Sequence, residues 1–433
     1  MKQAVIVGSG AGGATVAREL QGHFQVTVLE AGREFRPFAR DLVLLERLKK
    51  TGLFFDERQV QLLFPSMRVR KTVDNMVLVN GVGLGGTTTI SAGNAIRMDR
   101  DLLALGINLD AEFAELFREI PITTSHMGRW REVTRRLFGV CREMNLSPYP
   151  IPKMGRYERC VNCGRCVLGC ARGVKWDSRQ FLHMALNRGA RVVTGCRVER
   201  VVLEGGLATG VRARQGRREV FYPADLVVLA AGGLGTPVIL QNSGIACEAR
   251  LFVDPVLCVA TEWPGVMQNR EMTMPFVVQM NGYILSPYFD WLSFFFNRNY
   301  RYPAGDTLGM MIKLADDSVG SISAGKIDKM LTESDRARLS DAVDVCAEIF
   351  RRFGVRVGPR KERLFLGTIN AGHPGGMLPL TEREAVTMHH SSLPPNLYVA
   401  DATLLPRSLG NPPILTIMAL AKRISAVCAR GAW

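Results

Sequence analysis

The chain has 433 residues, of which 47% are hydrophobic and 22% are charged. This composition excludes a disordered or fibrous protein and provides enough apolar material for two or three domains. The 55 Lys and Arg residues exceed the 40 Asp and Glu residues, which gives a formal net charge of +15. Such a charge favours anionic partners, for example an acidic redox protein or an anionic membrane surface.

The first predicted elements are a strand, a glycine-rich turn, a helix and a second strand. Residues 4–7 are apolar and β-rich, residues 8–13 read Gly-Ser-Gly-Ala-Gly-Gly, and a second apolar strand ends at Glu30. This order predicts a Rossmann-type dinucleotide site, in which the glycines let the backbone approach a pyrophosphate at a helix N-terminus. The acid would accept a hydrogen bond from a ribose hydroxyl. The residues predicted to form this part of the site are Gly8, Gly10, Ala11, Gly12, Gly13, Glu30 and Ala31.

An uncharged stretch, residues 226–247, is long enough to span a membrane. It contains four glycines and a proline, so we predict a buried strand, a turn and a helix instead. Because a strand already begins at residue 4, we expect no signal peptide and a cytoplasmic location, with membrane contact limited to the surface. The ten cysteines are therefore not expected to form disulfides.

The glycine turn does not separate NAD from FAD, but three further segments do. They are residues 80–94 (Asn-Gly-Val-Gly-Leu-Gly-Gly-Thr-Thr-Thr-Ile-Ser-Ala-Gly-Asn), 229–237 (Leu-Ala-Ala-Gly-Gly-Leu-Gly-Thr-Pro) and 396–421, which includes an Asp after a predicted strand. With these motifs in this order, the chain resembles the glucose–methanol–choline (GMC) family of FAD-dependent oxidoreductases. The resemblance implies FAD as cofactor. It adds to the predicted FAD contacts Gly85, Gly86, Thr87, Asn94, Val198, Ala231, Gly232, Asp401 and Pro413.

The resemblance also implies the fold, an α/β protein with a Rossmann-type FAD-binding domain and an inserted antiparallel β-sheet substrate domain. The FAD-binding domain would be discontinuous, formed by residues 1–100, 186–250 and 365–433. Residues 101–185 would form a Cys-rich insertion, and residues 251–364 the substrate domain.

Local patterns in the substrate domain agree with this expectation. Asn281-Gly282 between two β-rich runs predicts a hairpin. Thr332 begins a predicted helix in which apolar residues recur at helical spacing, as expected of a stripe packed on the core. The aromatic residues between 288 and 296 would either line an apolar substrate pocket or pack on the sheet.

His373 is the candidate catalytic base. It stands in Gly-His-Pro-Gly-Gly-Met, which resembles the family's H-P-x-G-T-x-M stretch. A neutral imidazole can accept an alcohol proton near neutral pH while hydride leaves the carbon. Pro412 stands where the family has a second catalytic His or Asn. Either Asn411, one residue earlier, supplies that group, or the second polar partner is absent.

The middle of the chain contains four closely spaced cysteines, Cys160, Cys163, Cys166 and Cys170. The spacing C-x2-C-x2-C-x3-C is that of a bacterial-ferredoxin run and predicts a [4Fe–4S] cluster with these four as metal ligands. In two-cluster ferredoxins the fourth Cys of such a run binds the other cluster, so a distant cysteine such as Cys141 or Cys196 is the alternative to Cys170 as fourth ligand. A zinc site and free thiols are the alternatives. Zinc sites generally use two CxxC pairs separated by a longer loop.

These features predict an FAD-dependent dehydrogenase that oxidises an alcohol by hydride transfer to the flavin, with electrons leaving through the cluster to a protein or other acceptor. The alternatives are a reductase acting on an activated C=C or C=O, and a non-catalytic electron-transfer subunit. We expect a small, apolar alcohol or carbonyl compound as substrate. Arginine clusters at residues 212–218 and 351–361 belong to no nucleic-acid motif. They would form a docking face for an acidic electron carrier or a solvated basic surface.

Overall fold

The computed structural model describes residues 1–38, 42, 46–47, 49, 57, 61, 64–358 and 361–431. Its strands, in chain order, are β1 (Gln3–Val7), β2 (Gln25–Leu29), β3 (Met67–Lys71), β4 (Val77–Gly81), β5 (Ile122–Thr123), β6 (Tyr149–Pro150), β7 (Lys153–Met154), β8 (Arg191–Val193), β9 (Cys196–Glu204), β10 (Leu207–Gln215), β11 (Arg218–Pro223), β12 (Leu226–Leu229), β13 (Val256–Glu262), β14 (Phe276–Gln279), β15 (Tyr283–Pro287), β16 (Thr307–Leu314), β17 (Ser321–Ser323), β18 (Lys326–Asp328), β19 (Leu364–Leu366), β20 (Asn370–Ala371) and β21 (Leu397–Val399).

The α-helices are α1 (Ala11–Glu19), α2 (Arg100–Ala104), α3 (Asp110–Glu119), α4 (Glu132–Glu143), α5 (Arg179–Leu186), α6 (Gly232–Asn242), α7 (Trp291–Phe296), α8 (Glu333–Phe353) and α9 (Ile414–Ala429). Short 3₁₀ turns lie at Gly86–Ile90, Ser125–Arg129, Tyr157–Arg159, Cys166–Leu168, Gln268–Arg270, Ala304–Asp306, Glu382–Glu384 and Ala402–Leu404.

A five-stranded parallel sheet forms the centre of the nucleotide-binding part, in the order β21-β12-β1-β2-β8. Its inner strands β1 and β12 are almost wholly buried, as expected of parallel strands that are covered on both faces. Helices α5 and α9 both pack against α1. The strand order reverses between β1 and β12, which is the topological switch point where Rossmann-type sheets bind ligands. The predicted α/β fold with a Rossmann-type sheet is confirmed.

A nine-stranded, mainly antiparallel sheet forms the second layer, in the order β3-β4-β20-β13-β16-β15-β14-β6, with β19 also paired to β13. The predicted hairpin is confirmed: β14 and β15 pair antiparallel around Gly282, whose φ of +80° only glycine adopts readily. The consecutive strands β3 and β4 pair with each other, and β20, from a distant part of the chain, joins β4 at the same end of this sheet.

Helix α8 covers one face of the nine-stranded sheet. It begins with a capping box between Thr332 and Asp335, and its apolar stripe, which includes Leu339, Cys346 and Phe350, is buried in the core with the sheet. The predicted helix and the packing of its stripe are both confirmed.

Three smaller sheets complete the fold: β11-β10-β9, β17-β18 and β5-β7. The uncharged stretch 226–247 is formed by β12, a glycine turn and α6, as predicted. Across the described ranges, no helix combines the length and the apolar character needed to cross a bilayer.

Candidate active site

The turn between β1 and α1 forms the first part of the site. Gly8 has a φ of +98°, and a Cβ at this position would lie 2.3 Å from the carbonyl oxygen of Ala230. A Cβ at Gly13 would lie 2.0 Å from the carbonyl oxygen of Gly8, so both glycines are needed for close packing. Gly10 differs, because a Cβ built there meets no atom within 4 Å. The N-terminus of α1 therefore faces open space.

That space is a cavity of about 730 Å³ at the carboxyl ends of β1, β2 and β12. Predicted site residues that line it are Gly8, Gly10, Ala11, Gly12, Glu30, Ala31, Gly86, Thr87, Val198, Ala231, Gly232, His373, Asp401 and Pro413. Gly13 and Gly85 do not line the cavity. Gly13 packs behind the turn, and a Cβ at Gly85 would lie 2.6 Å from the side chain of Thr89.

Glu30 is a buried carboxylate at the edge of this cavity. One oxygen accepts hydrogen bonds from the Ser9 amide (3.1 Å) and hydroxyl (2.7 Å), and the other accepts from the Gly32 amide (2.9 Å). Burial raises the pKa of Glu30, while these hydrogen bonds act in the opposite direction. A carboxylate has about four acceptor sites, so capacity remains for a hydroxyl in the cavity.

Asp401 follows β21 and connects its loop to the turn that follows β12. Its Oδ2 accepts from the Gly232 amide (2.8 Å) and the Thr236 hydroxyl (2.5 Å), and its Oδ1 accepts from the Thr403 amide (2.9 Å). Burial raises the pKa of Asp401, and the same hydrogen bonds oppose that shift. The carboxylate thus fixes the N-terminal turn of α6 against the cavity wall.

A second, smaller cavity of about 190 Å³ adjoins the first. The two share Thr87, Gly372, His373 and Ile414 as lining residues. The wall of the smaller cavity is mostly apolar and contains part of the predicted aromatic run; it includes Trp291, Leu292, Phe295, Phe296, Val167, Leu168 and Met311. Asn94, predicted as an FAD contact, lines this second cavity rather than the first.

His373 therefore stands where the two cavities meet. Its Nδ1 lies 3.9 Å from Oδ2 of the fully buried Asp254, and the side chain remains 22% exposed. Burial, followed by the charge of Lys313, lowers the pKa of His373 well below its usual range. The imidazole is accordingly neutral near pH 7 and can accept a proton from a molecule in the cavity.

Residues 3–269 match the sequence model of the GMC oxidoreductases. The chain belongs to the GMC oxidoreductase family. It is thus an FAD-dependent oxidoreductase, which confirms the class of enzyme and the cofactor that the glycine and Asp motifs predicted.

Similar proteins cover almost the whole chain. An uncharacterized protein of Methanocaldococcus jannaschii is 23% identical over 427 residues, which is 96% of this chain and 97% of that protein. A long-chain-alcohol oxidase of Arabidopsis thaliana is 22% identical over 516 residues, covering 98% of this chain but 66% of the plant protein. In fold, the chain is similar to pyridoxine 4-oxidase from Mesorbium loti, with a TM-score of 0.73, 16% identity, and coverage of 98% and 99% of the two chains.

The residues of the larger cavity fit the FAD expected in a GMC oxidoreductase. The open side of Gly10 and the free N-terminus of α1 suit a pyrophosphate. The buried carboxylates of Glu30 and Asp401 lie on the cavity wall, where hydroxyl groups of a ribose and a ribitol chain could donate to them.

The position where the family has a second polar group differs here. Pro412 lines the smaller cavity, whereas Asn411 lines neither cavity. The Asn411 amide donates to Gln279 Oε1 (3.1 Å) and to the Leu409 carbonyl (3.4 Å). The geometry therefore places the proline, and not Asn411, beside His373.

The four predicted metal ligands lie in one loop. Burial raises the pKa of Cys160 to about 12, and neighbouring Cys163, Cys166 and Cys170 act in the same direction, so the four thiols are near one another. However, within the described part of the chain no group of three or more His, Cys, Asp or Glu residues is arranged to hold a metal ion. The prediction of a cluster at these four cysteines is therefore not supported by the structure.

The cysteine loop instead forms part of the wall next to the active site. Val167 and Leu168 line the smaller cavity. Lys175, just after the loop, donates from Nζ to the carbonyls of Thr88 (3.0 Å), Thr89 (2.7 Å) and Ser91 (2.9 Å). These bonds fix the Thr-rich turn that separates the two cavities.

Sequence reasoning missed Lys313 and Asp254. Both are fully buried beside His373, with Lys313 Nζ 2.6 Å from Asp254 Oδ2, and Lys313 lines the smaller cavity. The available signal was a lysine inside the otherwise uncharged strand Thr-Leu-Gly-Met-Met-Ile-Lys-Leu. A charged residue inside a buried strand is rare unless it is paired.

Proposed function

We propose that the protein oxidises an apolar alcohol, with His373 as the general base. The observation that carries this proposal is the position of His373 on the wall shared by the FAD-sized cavity and the smaller apolar cavity. A carbinol in the smaller cavity would have its hydroxyl at the imidazole and its carbon toward the flavin site. Bound FAD supplies the hydride acceptor.

The protein contributes binding, orientation and a proton acceptor. The glycine turn before α1 would hold the pyrophosphate, while Glu30 and Asp401 would accept from hydroxyl groups of the cofactor. The aromatic and aliphatic wall would hold the substrate chain and exclude water from the reacting atoms. His373 Nε2 would take the hydroxyl proton.

The chemistry of the cavity supports an apolar substrate in particular. Its wall includes Trp291, Phe295 and Phe296, which offer contact area but few polar partners. The similar plant protein is named a long-chain-alcohol oxidase, which agrees with an apolar alcohol. We therefore propose unbranched or benzylic alcohols as the substrate class.

The proposal is tested by anaerobic reduction of the bound flavin. We expect 1-octanol and benzyl alcohol to bleach the flavin absorbance, octane and toluene to leave it unchanged, and denaturation to release FAD. If aldehydes reoxidise the reduced flavin much faster than alcohols reduce it, the physiological direction is reductive. If neither class of compound changes the spectrum, the protein is a relay subunit and the proposed activity is wrong.

Electron exit through a [4Fe–4S] cluster is supported by the cysteine spacing alone. The test is to quantify iron and acid-labile sulfide in anaerobically purified wild type and in Cys163→Ser. Cys428→Ser is the control, because Cys428 lies in α9, away from the cysteine loop. Four irons per chain that are lost in Cys163→Ser would establish the cluster. Iron-free protein with full flavin reduction would leave these cysteines as thiols in the loop beside the smaller cavity.

A further inference from the structure

Strand alternation places Lys313 in the wall of the substrate cavity. Side chains along β16 point alternately to the two faces of the sheet. Met310, Ile312 and Leu314 belong to the apolar core that α8 covers, whereas Met311 and Lys313 line the smaller cavity. Among the described residues on that wall, Lys313 is the one lysine or arginine, and it shares the wall with His373 and Pro412.

The hydrogen-bonding state of Lys313 distinguishes it from other buried lysines. Lys153, Lys175 and Lys329 all donate from Nζ to two or more backbone carbonyls. Lys313 Nζ instead lies 2.6 Å from Asp254 Oδ2, and among the described residues it donates to no backbone carbonyl. An ammonium group has three N–H donors, and contact with one carboxylate oxygen does not engage all of them. Because an unused donor in a buried position is costly, Lys313 retains the capacity to donate to a molecule in the cavity.

The loop that carries Asp254 is built around this pair. Asp254 has a φ of +53°, which is uncommon outside glycine, and its side chain is fully buried. Its Oδ1 accepts hydrogen bonds from the Ser408 hydroxyl and from the Gly410 amide (3.2 Å). The carboxylate thus joins Lys313 to the loop before Pro412 and lies on the Nδ1 side of His373.

We propose that Lys313 is a catalytic residue that donates a hydrogen bond to the substrate oxygen and stabilises the negative charge that develops there. It would supply the polar contact that the family takes from a second His or Asn and that Pro412 lacks. This inference rests on the proposed alcohol oxidation. Preorganised donors in a buried site are typically worth more than the same donors in water.

The proposed reaction is a two-electron oxidation of the alcohol. The O–H bond would break with its proton passing to His373 Nε2, and the carbinol C–H bond would break with its hydride and electron pair passing to the acceptor that FAD, when bound, would supply. Lys313 keeps its protons throughout and acts by charge and hydrogen bonding. Asp254, on the opposite side of the imidazole, favours the tautomer with a proton on Nδ1, which leaves Nε2 free to accept.

The main test compares Lys313→Met with Lys329→Met. Both changes break a buried Lys–Asp ion pair, because Lys329 Nζ lies 2.8 Å from Asp316 Oδ2, but Lys329 does not line the cavity. In anaerobic stopped flow with benzyl alcohol, we expect Lys313→Met to reduce its flavin about 10²–10³-fold more slowly. Lys329→Met should stay within a few-fold of wild type, and Lys313→Arg should recover part of the loss.

A second readout separates charge stabilisation from a loss of positioning. With para-substituted benzyl alcohols, the rate of flavin reduction in Lys313→Met should increase more steeply with the acidity of the alcohol than in wild type. Benzoate, which presents an anionic oxygen, should perturb the flavin spectrum of wild type at concentrations at least tenfold lower than in Lys313→Met. If Lys313→Met does not fold, the same measurements are made on the double variant Lys313→Met with Asp254→Asn. This double variant removes both charges of the ion pair.

The outcomes separate this inference from the proposed function. Wild type that shows no flavin reduction with any alcohol overturns both. Wild type that is reduced, with Lys313→Met equally fast and with the same dependence on alcohol acidity, overturns only the role of Lys313. A slower variant with an unchanged acidity dependence and unchanged benzoate binding also overturns it, because that pattern is expected of a structural lysine.

Discussion

At the scale of single residues, the chemistry depends on the protonation of His373. The ring lies between the buried Asp254 carboxylate and the two cavities, and burial and the charge of Lys313 both lower its pKa. A general base works only in its neutral form. The surroundings of His373 therefore extend the pH range in which it can accept a proton.

We predict that His373→Ala keeps its FAD but reduces it about 10²–10⁴-fold more slowly with substrate, the usual cost of losing a general base. His183→Ala is the matched control, because His183 is an exposed histidine on α5. Flavin reduction is followed anaerobically in stopped flow, since steady-state rates can report product release instead. Equal rates in wild type and His373→Ala would remove this residue as the base.

The pH dependence of the same rate has a defined sign. Because the pKa of His373 is lowered, the rate of flavin reduction in wild type should be constant from pH 8 to about pH 6.5 and fall only in more acidic solution. Lys313→Met removes a positive charge and leaves the Asp254 carboxylate facing the ring, so the pKa of His373 should rise. The rate of flavin reduction in this variant should therefore begin to fall at a higher pH than in wild type. A loss that begins at the same pH in both proteins contradicts this electrostatic account.

At the scale of elements, the sequence predicts what is encoded locally. The β1–turn–α1 unit, the β14–β15 hairpin and α8 were predictable, because glycines, an Asn-Gly turn and helical spacing are short-range signals. The pairing of β4 with β20 was not predictable. These strands are almost three hundred residues apart, and their pairing depends on the tertiary fold. Lys313 was missed for the same reason, since its cavity forms only when β16 joins the sheet.

Another element-scale feature is His126, which connects the 3₁₀ turn Ser125–Arg129 to the segment after β6. Its Nε2 lies 2.8 Å from the Ile151 carbonyl, and its Nδ1 accepts from Trp130 Nε1 (3.0 Å). Both nitrogens are thus satisfied only in the neutral ring. Burial lowers the pKa of His126 to about 4, and the charge of Lys153 acts in the same direction.

We predict that this histidine makes the protein less stable in acid. With a folded pKa near 4 and an unfolded pKa near 6.5, its contribution is intact above pH 6.5 and is lost as the pH falls toward 4. From pH 6.5 to 5 the loss is about 2 kcal/mol. The thermal midpoint of wild type should fall more between these pH values than that of His126→Gln, with the exposed His23→Gln as control. Parallel decreases in all three proteins would exclude His126 as the cause.

At the scale of the whole molecule, the formal net charge is +15, and ion pairs offset part of the positive charge of the arginine clusters. Arg214 is paired with Glu199, and Arg351 and Arg352 share Glu348, so both predicted arginine clusters are partly neutralised. Arg360, which belongs to the second cluster in the sequence, lies outside the described residues. An acidic electron carrier as partner stays a prediction.

A different group of arginines lies at the larger cavity. Arg70 and Arg197 line it, and Arg68 lies close to both. Burial lowers the pKa of Arg70 to about 10, and the like charges of Arg68 and Arg197 contribute to this shift. None of the three forms an ion pair with any residue that the structure describes. The wall also carries the carboxylates of Glu30, Glu199, Glu219 and Asp401, and Glu199 and Glu219 are paired with Arg214 and Arg212. Arginines without an ion pair at a cavity attract anionic ligands and increase their association rate.

We therefore predict that FAD binding to the apoprotein is electrostatically steered. The association rate constant, followed by flavin fluorescence, should fall as salt is raised from about 0.01 M to 1 M, because the Debye length shortens from about 30 Å to 3 Å. Riboflavin, which lacks the phosphates, should show little dependence on salt. Arg70→Gln should slow FAD association at low salt, whereas Arg118→Gln, an exposed change on α3 with the same effect on net charge, should not. Equal slowing by both variants would mean that net charge, and not the arginines at the cavity, attracts the cofactor.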